Sequence, residues 1–152
     1  MIHTFFEIKQ QLLTACFHFV ENKHKTISNS ISSNKNDLFS ETKSSAGDKH
    51  ETGRAMIQLE MEKAGQQLAE VNLMQEVLNK IIVGKTSEIV CLGSLVKTNK
   101  ATYFLAISVG KVVVKQQDYY VVSAQSPIGK QLLGKTVGDL IPFNQAIIVE
   151  IL

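Results

Sequence analysis

The chain is poor in cysteine: two in 152 residues, Cys16 and Cys91, with no Cys-x-x-Cys or Cys/His spacing near either. That spacing argues against a disulfide framework or a zinc knuckle, and reduced thiols in a cytosol fit best. Charge of one sign is also lacking. The 16 basic and 14 acidic side chains leave a net charge of +2, neither the basic field of a general DNA binder nor an acidic tail, so any link to nucleic acid is indirect. Long apolar runs are missing as well. The opening MIHTFFEIKQQLLTACFHFVENK begins like a secretory leader, but Glu7, Gln10 and Gln11 interrupt it, and nothing approaches the ~18 apolar residues of a membrane helix. It reads as an amphipathic helix of a soluble, cytoplasmic protein with no membrane partner.

What is present is a 44% hydrophobic content, enough for a real core, arranged in two halves of different period. In the first half, Phe6, Leu13, Phe17, Val20, Ile27 and Ile31 follow alternating steps of three and four, with Gln10 and His24 in the remaining slots. A neutral His24 with one buried edge is expected there. A second seam runs Ile57, Met61, Ala64, Leu68, Val71, Gln75, Leu78, Ile82. Between them SNSISSNKNDLFSETKSSAGD is polar and poor in apolar residues, which suits frayed helix ends and a solvated turn. The two seams predict an antiparallel coiled-coil hairpin whose ~30-residue helices would make an arm roughly 45 Å long. Two mutually satisfying seams in one chain favour a monomer.

After Gly84 the pattern turns extended: SEIVCLGSLVKT, ATYFLAISV, KVVVK and DYYVVSA are β-branched or aromatic runs separated by turn residues. This half reads as a small antiparallel β-sheet. SPIGKQLLGKTVGD reads as one short helix, with Ser126 as N-cap, Pro127 at the first helical position, Leu132 and Leu133 buried and Gly134 as the stop. QAIIVEIL is a final strand. The expected organisation is a helical arm over residues 1–82, its tip near 37–51, followed by an α+β domain over 85–152. No internal repeat is present.

One stretch near the tip, SSAGDKHETGRAM, places Asp48 and Glu51 three residues apart. Read alone, Asp48 is a favoured N-cap and Glu51 is placed to bond back to it, a capping box at the positive end of a helix. The motif Gly47-Asp48-Lys49-His50-Glu51 also resembles the G-D-x-x-E arm tip of the bacterial Gre family of transcript cleavage factors. SPIGKQLLGKTVGD is similar to that family's S-P-[IL]-x-x-x-L-[IL]-G-K segment, and EIVCLGSLVKT to its first C-terminal strand with a G-[AS]-x-V element. The resemblance covers nearly the whole chain in the right order, the first helix by pattern only.

The resemblance implies a coiled-coil arm followed by an FKBP-like domain, in a transcription elongation factor that binds RNA polymerase. It implies that the arm enters the polymerase's secondary channel and stimulates cleavage of the backtracked 3′ end of nascent RNA. Asp48 would then help hold a magnesium ion shared with the polymerase, and Glu51 would orient or deprotonate the attacking water. The chain alone would be no enzyme and would carry no intrinsic cofactor. Ser126, Pro127, Ile128 and Gly129 would dock on the polymerase rim, with Ile128 as the apolar anchor, and Lys49 and Arg54 would be tip contacts.

Several residues depart from the pattern or have simpler readings. Thr52, Gly53 and Arg54 stand where the family usually has Asn and then an aromatic, and Gly53 weakens the first turn by roughly 1 kcal/mol. Arg54, the chain's only arginine, is placed for an i,i+3 pair with Glu51. Asp37 and Glu41 read as solvated loop charges that could tune metal binding. His50 between two acids fits no strong metal signature. Lys23, Lys25, Lys35, Lys43 and Lys49 bias the distal half positive, as suits RNA phosphates or merely a solvated face.

Three other functions compete. A channel-occupying regulator without cleavage would suit the substituted tip. A prolyl isomerase would need a deep aromatic pocket, for which the second half offers Tyr103, Phe104, Tyr119, Tyr120 and Phe143 and no tryptophan. A coiled-coil interaction protein would leave Asp48 and Glu51 as caps only.

Overall fold

The computed structural model describes residues 2–43 and 47–152, and at 2–3, 38, 40–43 and 47–51 it describes the backbone alone. Two long helices come first, α1 over Ile2–Lys43 and α2 over Gly47–Asn79, packed together. The first helix outruns its sequence signal. The polar stretch expected as a turn is helical through Lys43, because Ser, Asn and Lys are tolerated on an exposed helix face once packing elsewhere holds the backbone.

Six strands and one short helix follow: β1 Leu95–Thr98, β2 Thr102–Ala106, β3 Gly110–Val114, β4 Gln117–Ser123, α3 Pro127–Leu132, β5 Leu140–Ile141 and β6 Ala146–Ile151. They form one sheet in the order β3-β4-β2-β1-β6-β5. All pairings are antiparallel except β2 with β4, which run parallel. The sheet is therefore mixed rather than wholly antiparallel. Its parallel pair arises because β3 lies at the edge and turns back through Lys115 and Gln116, which sets β4 between β3 and β2. Both turn residues have positive φ, 50° and 68°, the backbone that matches a two-residue hairpin to the twist of its strands. The expected strand SEIVCLGSLVKT shortens to its last four residues, since residues 91–94 close a turn instead.

The chain divides into two compact units, Met1–Phe19 with Glu76–Leu152, and Val20–Gln75. The division crosses both long helices rather than falling where the sequence period changes.

In the first unit the sheet is covered on both faces. Val96, Tyr103, Leu105 and Ile148 face one way and pack with Val90, Ile128, Leu132 and Ile141 into a core cluster. Their strand neighbours Leu95 and Phe104, opposite one another in register, are also fully buried, which for alternating side chains requires a second cover. The start of α1 supplies it. Phe5 lines a cavity of about 310 Å³ with Leu95, Thr102 and Tyr119, and Glu7 accepts a hydrogen bond from Lys115 at 2.9 Å. Ile8, Leu12, Leu13 and Cys16 are buried on this part of the helix. The heptad slots Phe6 and Gln10 are instead exposed, and so is Ile82, which lies beyond the end of α2. At the base of the helices, shape complementarity to a sheet replaces the helix-to-helix seam.

In the second unit the seam holds. Val20, Ile27 and Asn34 are buried at intervals of seven on α1, and Ala64 and Val71 repeat that interval on α2. Ile31, Ile57, Met61, Leu68 and Gln75 are half-buried beside them. This is the periodicity of a two-helix coiled coil. His24 falls outside it: its side chain is exposed, with Nδ1 3.4 Å from the Ser28 hydroxyl, so the expected buried edge is absent.

Candidate functional site

The two candidate carboxylates sit at the beginning of α2. That helix starts at Gly47, one residue before the Asp48 expected to cap it, so Asp48 is its second residue and Glu51 its fifth. Positions three apart on a helix share a side, and both lie within reach of the positive end of the helix dipole. The side chains of Asp48, Lys49, His50 and Glu51, and of Glu41, fall outside the described residues, and with them the capping box, the Glu51–Arg54 pair and any metal geometry. Asp37 is exposed and Arg54 half-buried. Gly53 is accommodated inside the helix.

The second candidate, Ser126 to Gly129, is fully described. Ser126 has extended backbone, and its hydroxyl accepts from the Gly129 N–H at 3.1 Å while donating to the Ser123 carbonyl at 2.6 Å. Pro127 occupies the first turn, where its missing N–H is not needed. Gly129 is pressed against the preceding strand: a Cβ there would lie 1.8 Å from the Ser123 carbonyl oxygen. Ile128 is only 9% exposed and belongs to the core cluster. The first turn of α3 thus aims Ile128, the residue expected as the apolar anchor of the docking corner, inward. Leu133, expected to be buried, is instead 48% exposed. It lies just past the last helical residue, and Gly134, with φ +83°, ends the helix as expected.

Several apolar residues on β5, β6 and the segments beside them are exposed. Leu140 and Ile147 are paired across β5 and β6 and both exposed, and Val137, Phe143 and Val149 are exposed too. The alternation of β6 carried the signal: Ala146 and Ile148 are buried, which leaves Ile147 and Val149 on the outer face. Of the five aromatics available for an isomerase pocket, Tyr103, Phe104 and Tyr119 are buried in the sheet's own packing. Tyr103 is held there by the Asn144 side chain, which donates to its hydroxyl at 3.1 Å, and burial raises its pKa.

Among the described residues no His, Cys, Asp or Glu group is arranged to hold a metal ion, and no helix is long and apolar enough to cross a membrane. No family model matches the chain and no curated protein does. Among solved structures the chain is similar to the transcription factor Gfh1, at 18% identity over 97% of this chain and 92% of that one, with a TM-score of 0.34.

Proposed function

We propose that the chain is a transcription elongation factor of the Gre type, which binds RNA polymerase and brings Asp48 and Glu51 to the polymerase active centre. The observation that carries this reading is the position of the two acids in the opening turn of α2, next to a coiled-coil helix pair and in a chain that ends in a sheet domain. Coiled-coil helices are stiff carriers, and a helix start holds two acids three residues apart on one side.

On this reading Asp48 contributes carboxylate oxygens to a magnesium ion shared with the polymerase, a hard cation that favours such ligands. The ion supplies charge stabilisation for phosphodiester hydrolysis. Glu51 orients the attacking water or takes its proton. The chain supplies no active site by itself, and its partners are the polymerase and the 3′ end of the nascent RNA. Lys49 and Arg54 then contact phosphates or polymerase near the tip. Ser126 and Pro127 remain at the docking corner, with Leu133 rather than Ile128 as its exposed apolar residue.

The decisive experiment is RNA cleavage by a stalled, backtracked elongation complex with wild-type protein, Asp48→Asn and Glu51→Gln, with helicity checked by circular dichroism. Release of 3′ fragments by the wild type alone, with all three proteins bound, is the expected result. Thr52-Gly53-Arg54 favours a second reading, a channel-occupying regulator that does not stimulate cleavage. Polymerase binding without cleavage by the wild type would select it, and absence of binding would reject both.

A further inference from the structure

The coiled-coil seam uses one side of α2, and the opposite side carries a second stripe. Met56, Leu59, Lys63, Gln66, Glu70 and Leu73 follow alternating steps of three and four, and all six are exposed. At 3.6 residues per turn these positions lie on the side of the helix away from the buried Ala64 and Val71. The apolar members stand well out of their own fold, with Met56 63%, Leu59 67% and Leu73 61% exposed. A lone exposed leucine needs no explanation. Three large apolar residues in heptad register do, because that period keeps one line of a helix against one partner helix. Leu59, Glu62, Lys63 and Gln66 border a surface hollow of about 360 Å³. Their spacing of i, i+3, i+4 and i+7 is that of the hole which receives a side chain from a facing helix. The seam shared with α1 leaves this face of α2 unused.

We propose that this stripe is a self-association surface on which α2 of a second copy of the chain packs antiparallel, an interaction independent of the polymerase reading. With the two-fold axis near the middle of the stripe, Met56 meets Leu73 of the second copy, Leu59 meets its Glu70 and Lys63 meets its Gln66. Lys63 then lies one layer from the second copy's Glu70, and the symmetry makes that ion pair twice. The second copy's Gln66 enters the hollow. A parallel, in-register pair would instead set Lys63 against Lys63 and Glu70 against Glu70, so charge selects the antiparallel direction. The line of contact from Met56 to Leu73 is about 27 Å long. Its ends are apolar and its centre is polar, which makes a weak, reversible dimer rather than an obligate one.

Sedimentation velocity of the full chain, taken up to about 1 mM, should show a monomer–dimer equilibrium. Leu73→Glu should abolish the dimer while circular dichroism shows unchanged helicity, since the side chain is exposed within its own fold. Lys63→Glu or Glu70→Lys alone should weaken association about tenfold, because each puts like charges together at two symmetric places. The double swap, Lys63→Glu with Glu70→Lys, should restore it. A wild-type chain that stays monomeric throughout, a dimer untouched by Leu73→Glu, or a double swap no better than the single ones would overturn the proposal.

Discussion

At the scale of single residues, the short helix α3 depends on two contacts with very different tolerances. Gly129→Ala would drive a methyl group into the Ser123 carbonyl, and backbone cannot yield as a flexible side chain can. The expected loss is at least about 3 kcal/mol, read from urea unfolding. Ser126→Ala removes the cap and the hydroxyl's bond to the Ser123 carbonyl, and should lower stability by about 1–2 kcal/mol in the same measurement. If Ser126 also contacts polymerase, that variant loses binding beyond what its stability change explains. Cys16 predicts an alkaline response. An unfolded cysteine releases its proton near 9.0, whereas burial keeps the folded Cys16 protonated until about 12. Between those values the unfolded state binds fewer protons, so stability falls as pH rises. Tyr103 and Tyr119, both raised by burial, add to the same fall. Cys16→Val should flatten the difference between urea midpoints at about pH 8 and about pH 10.5 without abolishing it. None of these contacts could be read in advance except the cap, because Ser-Pro advertises a helix start whereas the neighbour of Gly129 is decided by how β4 meets α3.

At the scale of elements, regular patterns were legible wherever one surface of an element meets one partner. The seam from Val20 to Ile31 and from Ile57 to Gln75 follows the heptad because helix meets helix there. Asn34 continues that heptad as a buried polar residue whose Nδ2 has no partner among the described residues. Asn34→Val should therefore raise thermal stability, by about 1–2 kcal/mol, while weakening the choice of register. An unchanged or lower melting temperature would mean that Asn34 is satisfied in solution. In the hairpin between β3 and β4, Gln116 holds φ at +68° without being glycine. Gln116→Gly should stabilise by about 1 kcal/mol, seen as a higher urea midpoint, since the left-handed conformation disfavours a Cβ by about that amount. Neither turn residue is a Gly or Asn, which is why this turn carried a weak signal.

At the scale of the whole molecule, the two compact units differ in how their backbones are protected. In Met1–Phe19 with Glu76–Leu152, the central strands β1 and β2 are buried on both faces. Among the described residues of Val20–Gln75, the buried side chains fall on one stripe along each helix. Native-state hydrogen exchange should therefore find its slowest amides in β1, β2 and β6, and faster exchange by local opening throughout residues 20–75. Comparable protection across both units would show that they unfold as one.

The sequence by itself determined the order of elements, two long helices and then strands around a short helix, because periods of 3.5 and 2 are local properties of the chain. It also set Asp48 and Glu51 in one turn, since a spacing of three is fixed by the helix wherever it packs. Only the tertiary structure decided which partner each apolar face met. It turned the base of α1 onto the sheet and left Phe6 outside. It placed Ile128 in the core and Leu133 on the surface, set β4 parallel to β2, and buried Lys9 with no hydrogen-bond partner for its Nζ among the described residues. These are contacts between distant segments, and their energies depend on shape and solvent exclusion that no local period encodes.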